Sequence, residues 1–353
     1  MTPKIVDRGP CSPKATMYYG EDARDVMDDL AENSVHTIVA CPPYWSPYAY
    51  SYSDSKVWGG NPDCVHQWES QTCTLCGAWR GELSRELNVH LYVDHLVEIF
   101  RGFKKPLRDD GIMWLTMGDQ YLKEDTENEN PDMKLRDLIG IPWELAFALR
   151  KDGWYLRQDI IWNKTNVMPS GIQDLCRTCH EYVFMFSKSP YYFYDRKAIQ
   201  EDSVTGGKRN RKTVWTLPNS RYPKGGVRAF GDKKKLAEEQ ESRDPNAYTF
   251  GNMPDKLLEL MILAGTSNGG CCSVCGKPRT SERKLTCECP KNDLARCVVM
   301  DPFSGLGTTG KVAVKHGRDY IGIDIIGHIL DRACEVTMQD WVEKEQTIFD
   351  VLG

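Results

Sequence analysis

No run of about 18 apolar residues occurs in the chain, so no membrane-spanning helix is expected. The start, Met1-Thr2-Pro3-Lys4, lacks the apolar core of a secretory signal, and a cytoplasmic location is expected. An overall excess of positive charge is also missing. The net charge is -5, so any contact with nucleic acid has to come from a local basic stretch. Internal repeats are absent, which excludes solenoids and propellers. A disulfide framework is not expected either, despite 14 cysteines. In a reducing compartment, closely spaced cysteines more often hold metal.

What is present is an alternation of strand and helix signals. Thr37 to Ala40 and Ile112 to Met117 are short apolar runs. Between them Tyr92, Leu96, Ile99, Phe100, Phe103 and Leu107 recur at helical spacing. Pro142 opens a helix to about Leu149, and Tyr155 to Trp162 reads as a strand. Glu181–Ser187 and Tyr191–Tyr194 read as a hairpin joined by Lys188-Ser189-Pro190. After a polar stretch, Pro254 starts a helix ending near Gly265. Cys297–Met300, Thr308–Lys315 and Tyr320–Ile323 then give strand, helix and strand. This alternation predicts an α/β sheet covered on both faces.

Two segments carry chemistry. Asp301-Pro302-Phe303-Ser304-Gly305-Leu306-Gly307-Thr308-Thr309-Gly310 runs from a strand through a glycine turn into a helix. Glycines let a ligand approach the backbone closely, and an acid ending the next strand, Asp324, suits ribose hydroxyls. On glycines alone the segment fits any nucleotide fold or a plain tight turn. Cys41-Pro42-Pro43-Tyr44-Trp45 follows a strand. Its prolines remove amide donors and leave carbonyl acceptors, while the aromatics can stack on a flat base. By itself it also reads as a turn that closes a strand.

Together these segments resemble the DNA amino-methyltransferases. Asp-Pro-Phe-Ser-Gly-x-Gly-Thr-Thr resembles their S-adenosylmethionine motif, and Tyr320 to Asp324 the acidic strand after it. The resemblance implies that Asp301, Pro302, Phe303, Gly305, Gly307 and Thr308 surround the cofactor and that Asp324 holds its ribose. Gly20-Glu21-Asp22-Ala23 resembles the acidic turn at the adenine, which makes Asp22 a cofactor residue. Phe250, with Thr249 and Pro254, is the nearest match to the aromatic that lines the cofactor. Cys41, Pro42, Pro43 and Tyr44 match the catalytic tetrapeptide, whose first residue in the family is Ser, Asp or Asn. Leu115 to Tyr121, Trp162-Asn163-Lys164 and His180-Glu181-Tyr182 match further segments. The catalytic part comes first and the cofactor part last, as in the circularly permuted, beta-type members. The implied fold is a Rossmann-like methyltransferase sheet. Residues 1–200 would form its catalytic half, with an insertion at about 60–82. Residues 201–250 would form a loop-rich recognition insertion, and 251–353 the cofactor half, with an insertion at about 268–292.

The resemblance implies methyl transfer from S-adenosylmethionine to an exocyclic amine of a base flipped out of double-stranded DNA. Cytosine-N4 members mostly carry Ser at the first catalytic position and adenine-N6 members mostly Asp or Asn. A thiol is closer to the hydroxyl, so the N4 amine of cytosine is expected, with adenine N6 as the alternative. Between Lys208 and Lys235 stand ten Lys or Arg against one acid, Asp232. From this stretch Lys208, Arg209, Arg211, Lys212, Arg221 and Arg228 are expected on DNA, together with Lys164 and a stacking Trp45. A solvated charged loop is the plainer reading of the same residues. A cognate restriction endonuclease is a further expected partner.

Cys64, His66, Cys73 and Cys76 form one set of four soft ligands; Cys272, Cys275, Cys287 and Cys289 form another. Each contains Cys-x-x-Cys-Gly, a knuckle spacing suited to tetrahedral structural zinc, so two zinc ions are expected. Cys271 competes with Cys272 for the second site. A carbon-5 cytosine methyltransferase is excluded, because there the cysteine follows the proline and the cofactor motif comes first. A zinc-containing DNA-binding protein with a dead core is disfavoured by intact Asp301, Gly305, Gly307 and Asp324.

Overall fold

The computed structural model describes residues 2–7, 12–45, 55–122, 133–167, 171, 173–220, 253–279, 287–290 and 293–338. Phe250, Arg221 and Arg228 lie outside the described residues. Main-sheet strands and helices, in chain order, are β1 (Lys4–Val6), β2 (Ala15–Tyr19), α1 (Ala23–Asp29), β3 (Val35–Ala40), α2 (Val89–Gly102), β4 (Leu107–Met117) and α3 (Ile141–Lys151). There follow β5 (Tyr155–Lys164), β6 (His180–Ser187), β7 (Val214–Leu217), α4 (Asp255–Gly265), β8 (Val298–Asp301), α5 (Thr308–Lys315), β9 (Asp319–Asp324) and α6 (Leu330–Met338).

All six residues of β3 are buried, as a strand covered on both faces requires. Its side chains alternate between two cores. Ile38 faces a layer that includes Val26, Phe100 and Leu145 of the first three helices. Val39 faces Leu258, Val312 and Ala333 of the last three. The helical spacing of Tyr92, Leu96, Ile99 and Phe100 buries all four on α2. Asn88 caps that helix by accepting from the Leu91 amide at 2.9 Å. Burying a ring such as Phe100 is worth about 1.5–3 kcal/mol, which outweighs any single helix propensity.

The strand order is β1-β2-β9-β8-β3-β4-β6-β5-β7. Strands β2, β9, β8, β3 and β4 are parallel neighbours. β6 runs antiparallel to both β4 and β5. The chain moves one way across the sheet from β8 to β9 and the other way from β3 to β4. The switch point therefore lies between β8 and β3, where open α/β sheets bind ligands beyond the carboxyl ends of their strands.

Two expectations are corrected. Tyr191–Tyr194 forms no hairpin with β6, because β4 and β5 already occupy both edges of that strand. The segment turns away instead, with the Phe193 amide bonded to the Asp110 carbonyl at 2.8 Å. The polar stretch from 203 is also less loop-like than expected. Val214–Leu217 joins the main sheet parallel to β5, and Trp215 is buried against Trp114. Among the described residues no helix is long and apolar enough to cross a membrane.

Candidate active site and cysteine clusters

The glycine turn after β8 is the segment expected to hold the cofactor. Gly307 has φ +75° and caps α5; a Cβ there would lie 2.8 Å from the Ala333 carbonyl oxygen, so no larger residue fits. The Asp301 carboxylate accepts from the Phe303 amide at 3.0 Å and the Thr309 hydroxyl at 2.5 Å. Burial pushes its pKa up to about 7. Asp324 closes the loop from the neighbouring strand. It accepts from the amides of Gly305 at 2.7 Å and Ile326 at 2.9 Å, and burial raises it to about 6. Tyr19 donates to the Gly305 carbonyl at 2.7 Å, anchoring the turn from β2. Pro302 is buried, Phe303 packs edge-on against Phe100, and Thr308 opens α5. Asp22 caps α1 through the Arg24 amide and pairs with the Arg24 guanidinium at 2.8 Å. Arg24 outweighs burial there and holds the Asp22 carboxyl below its usual range.

Across the switch point, β3 ends at Ala40 and delivers Cys41-Pro42-Pro43-Tyr44. The Pro43 carbonyl accepts from the Tyr92 hydroxyl at 2.6 Å, which fixes the bend of the loop. The Cys41 thiol lies 3.9 Å from the Tyr44 hydroxyl, and that hydroxyl donates to Glu181 at 3.0 Å. Burial and the nearby Glu181 charge push Cys41 up to about 12, so it is a neutral thiol at pH 7. It is neither a nucleophilic thiolate nor a general base.

Glu181 was not singled out as a site residue by sequence. It is the second residue of β6, whose antiparallel run brings its first residues to the edge where the parallel strands end. Lys164 closes β5 at the same edge and forms an ion pair with Glu181. The structure thus places Lys164, expected on DNA, beside Glu181 and Tyr44. Trp45 is corrected. It is 1% exposed and donates its indole N–H to the Glu86 carbonyl at 2.9 Å, so it packs in the core and cannot stack on a base.

The basic stretch is partly neutralised internally. Lys208 pairs with Asp202 at 2.6 Å and Arg209 with Glu201 at 3.0 Å. Arg211 donates to the Ile199 carbonyl, and Lys212 is exposed. These four residues are not brought to the active-site cluster by any described contact.

The ligand atoms of Cys64, His66, Cys73 and Cys76 lie within 4.8 Å of one another, as do those of Cys272, Cys275, Cys287 and Cys289. Cys64 and Cys73 sulfurs are 4.0 Å apart, and Cys76 is 3.4 Å from His66 Nδ1. Zn–S bonds of about 2.3 Å place tetrahedral sulfurs about 3.8 Å apart, so the donor set fits zinc. Backbone amides of Cys275 and Val274 draw Cys272 down to about 6, toward the thiolate a metal needs. Cys272, not Cys271, joins the second set. Cys271 lies with His36 and Cys297, but that imidazole is fully engaged. Its Nδ1 accepts from the Val298 amide and its Nε2 donates to the Gly276 carbonyl.

A glycine turn and a Pro-Pro-aromatic loop stand on either side of the switch point of a mixed, largely parallel sheet, the arrangement of a Rossmann-like ligand-binding domain. The model of a family described as DNA methylase matches residues 35–335. The Type II methyltransferase M.Cfr9I of Citrobacter freundii is 31% identical over 336 residues, covering 90% of this chain and 86% of that protein. M.SmaI of Serratia marcescens is 31% identical over 323 residues, covering 86% and 84%. The fold is also that of the PvuII DNA methyltransferase, described as cytosine-N4-specific. That structure superposes with a TM-score of 0.54 at 15% identity over 93% of this chain and 94% of that one. The chain belongs to the N6/N4 DNA methylase family and is a DNA methyltransferase that uses S-adenosylmethionine.

Proposed function

We propose that this enzyme methylates the N4 amine of cytosine in double-stranded DNA. The observation that carries the choice of base is Cys41. A thiol is the near-isostere of the serine hydroxyl of cytosine-N4 members and not of the carboxylate or amide of the adenine type, and burial keeps it neutral. The base is flipped from the duplex at a cost of a few kcal/mol, and stacking on the Tyr44 ring offsets part of it. The Pro42 carbonyl orients the amine, since a thiol is a weak acceptor. When bound, the cofactor supplies an electrophilic methyl group on a sulfonium; Asp324 and the turn Phe303–Thr308 hold it, with Asp22 at the far end. The proposed division is a catalytic half to about 200, a recognition insertion from 201 to 250 that lends Val214–Leu217 to the main sheet, and a cofactor half from 251. Digesting methylated DNA to nucleosides and resolving them by mass spectrometry tests the base. N4-methylcytosine is expected, and N6-methyladenine as the sole product overturns the choice.

The two ligand sets would each hold one structural zinc ion, on the support of their spacing and convergence. Elemental analysis should find close to two equivalents, and metal-free protein with full activity and unchanged melting refutes this. The resemblance to Type II methyltransferases supports a cognate endonuclease that cleaves the same sequence, tested by protection of methylated DNA from that enzyme.

A further inference from the structure

The cysteine–histidine insertion sits directly behind the catalytic loop. Its four short strands, at residues 56–58, 79–81, 72–73 and 68–69, pair in that order. Most of the insertion is polar and exposed. Its buried residues are Trp58, Cys73, Ala78, Trp79 and Gly81. So small a core cannot hold a sheet on its own, and the four ligands are what can staple it. The metal turn is one hydrogen bond from the core tryptophan pair. The Cys73 amide donates to the Ala78 carbonyl at 2.7 Å, and Trp79 pairs across the strands with Trp58.

These two indoles enclose His95 of α2. Its ring stacks on Trp58 at 4.8 Å and on Trp79 at 5.3 Å. His95 Nδ1 is 2.9 Å from Glu86 Oε1, and Glu86 is fully buried. The Glu86 carbonyl is the acceptor for Trp45, next to Tyr44 in the chain. A second route leads to the cofactor side. The Arg24 guanidinium lies 3.9 Å over the Trp58 ring and donates to the Val57 carbonyl at 3.1 Å while holding Asp22.

We propose that this insertion is a brace for the active site, its metal-stapled tryptophan pair positioning Tyr44 through His95, Glu86 and Trp45, and Asp22 through Arg24. The proposal rests on the zinc reading above. Trp58, Trp79, His95, Glu86 and Arg24 are positioning residues, because none reaches the Cys41–Tyr44–Glu181 cluster directly. Loss of the metal releases the indoles, then His95 and Glu86, and leaves Trp45 without its fixed acceptor. Misplacement of a catalytic group by about 1 Å can cost a hundredfold in rate, so a loosened loop acts on turnover before it acts on folding.

The test uses the full chain with Cys73→Ser and Cys76→Ser combined. Zinc content, circular dichroism, kcat, KM for DNA, cofactor affinity by calorimetry and amide exchange at Tyr44 and Trp45 are measured together. The expected result is one zinc equivalent fewer, native circular dichroism, and faster exchange at those two amides. Turnover should fall about tenfold or more, with KM for DNA within about twofold. Trp58→Ala should reproduce this with both metals in place, and Trp58→Phe, which keeps a stacked ring, should restore it. Arg24→Gln isolates the cofactor route: weaker cofactor binding with unchanged zinc. Unchanged exchange and turnover in both the metal-depleted and Trp58→Ala proteins overturns the brace. Should the natural protein hold no zinc, the metal reading fails alone, and Trp58→Ala still decides the brace. A natural protein that methylates no DNA overturns the functional reading, and exchange at Tyr44 and Trp45 remains as a separate readout.

Discussion

Asp301 is a buried acid held for function at a cost to stability. Its pKa rises from an unfolded value near 3.8 to about 7. The folded state therefore binds a proton that the unfolded state has released, and stability falls as pH rises through this window. The sign is opposite to that of a salt-bridged carboxylate. From pH 5 to the folded pKa the native acid stays protonated while the unfolded one is ionised, and above that pKa the two states no longer differ. At about 1.36 kcal/mol for each pH step of one, cofactor-free protein should lose about 2–3 kcal/mol between pH 5 and 8 through this residue. Asn at 301 is neutral at every pH, can accept from the Phe303 amide, and can donate to the Thr309 hydroxyl. Asp301→Asn should thus be more stable than the natural protein at pH 8, with the gap shrinking toward pH 5. Urea unfolding of cofactor-free protein at pH 5, 6, 7 and 8 measures it. A difference between the two proteins that does not change with pH refutes the reasoning. Cofactor affinity should fall in the same variant, since the turn proposed to hold the cofactor is built on this carboxylate.

Further outcomes are expected. Asp324→Ala removes the acceptor that ties Gly305 and Ile326 and that is proposed to hold the ribose; cofactor binding should weaken by about 1.5–3 kcal/mol, as calorimetry would show. Cys41→Ser should retain substantial activity, whereas Tyr44→Ala should lose most of it, each read as kcat/KM on a DNA duplex. Within the basic stretch, Lys212→Ala should lower the salt slope of DNA binding by about 1. Lys208→Ala and Arg209→Ala should lower it less, because Asp202 and Glu201 already neutralise them. Equal slopes for all three variants would dissociate the ion pairs from binding.

Local sequence predicted what local sequence determines. The turn from Asp301 to Thr308, the strand ending in Asp324 and the Pro-Pro-aromatic loop are contiguous, and their residue types follow from backbone demands at one place. The two ligand sets were legible for the same reason, since knuckle spacing is a local constraint. Trp45 marks the limit. An aromatic after the catalytic tyrosine fits a stacking surface or a core equally well, and a carbonyl 41 positions away, that of Glu86, decided it. The basic stretch shows the same limit in charge: counting from Lys208 omits Glu201 and Asp202, six to eight positions upstream, which consume part of the positive charge.

Glu181 extends this point from packing to chemistry. It is 137 positions from Tyr44, and although His180-Glu181-Tyr182 resembles a family segment, nothing local gives the carboxylate a role, since a charged residue near the start of an apolar strand is ordinary. Its place follows from topology. Parallel β8, β3 and β4 present their carboxyl ends at the switch point, while antiparallel β6 must present its first residues there. β5, antiparallel to β6, must then present its last, which brings Lys164 beside Glu181. Once Tyr44 is fixed at the end of β3, Glu181 meets it directly and Lys164 meets Glu181. The family motif has an acid, amide or hydroxyl at position 41, and this chain has a thiol too weakly acidic to ionise. The carboxylate in contact with the tetrapeptide is supplied across the sheet instead. Glu181→Gln separates charge from hydrogen bonding at that point: it still accepts from the Tyr44 hydroxyl but leaves Lys164 unneutralised. If the carboxylate serves only to hold the tyrosine ring, single-turnover methylation keeps its rate; if its charge matters to the amine as it loses a proton, the rate falls while DNA affinity holds.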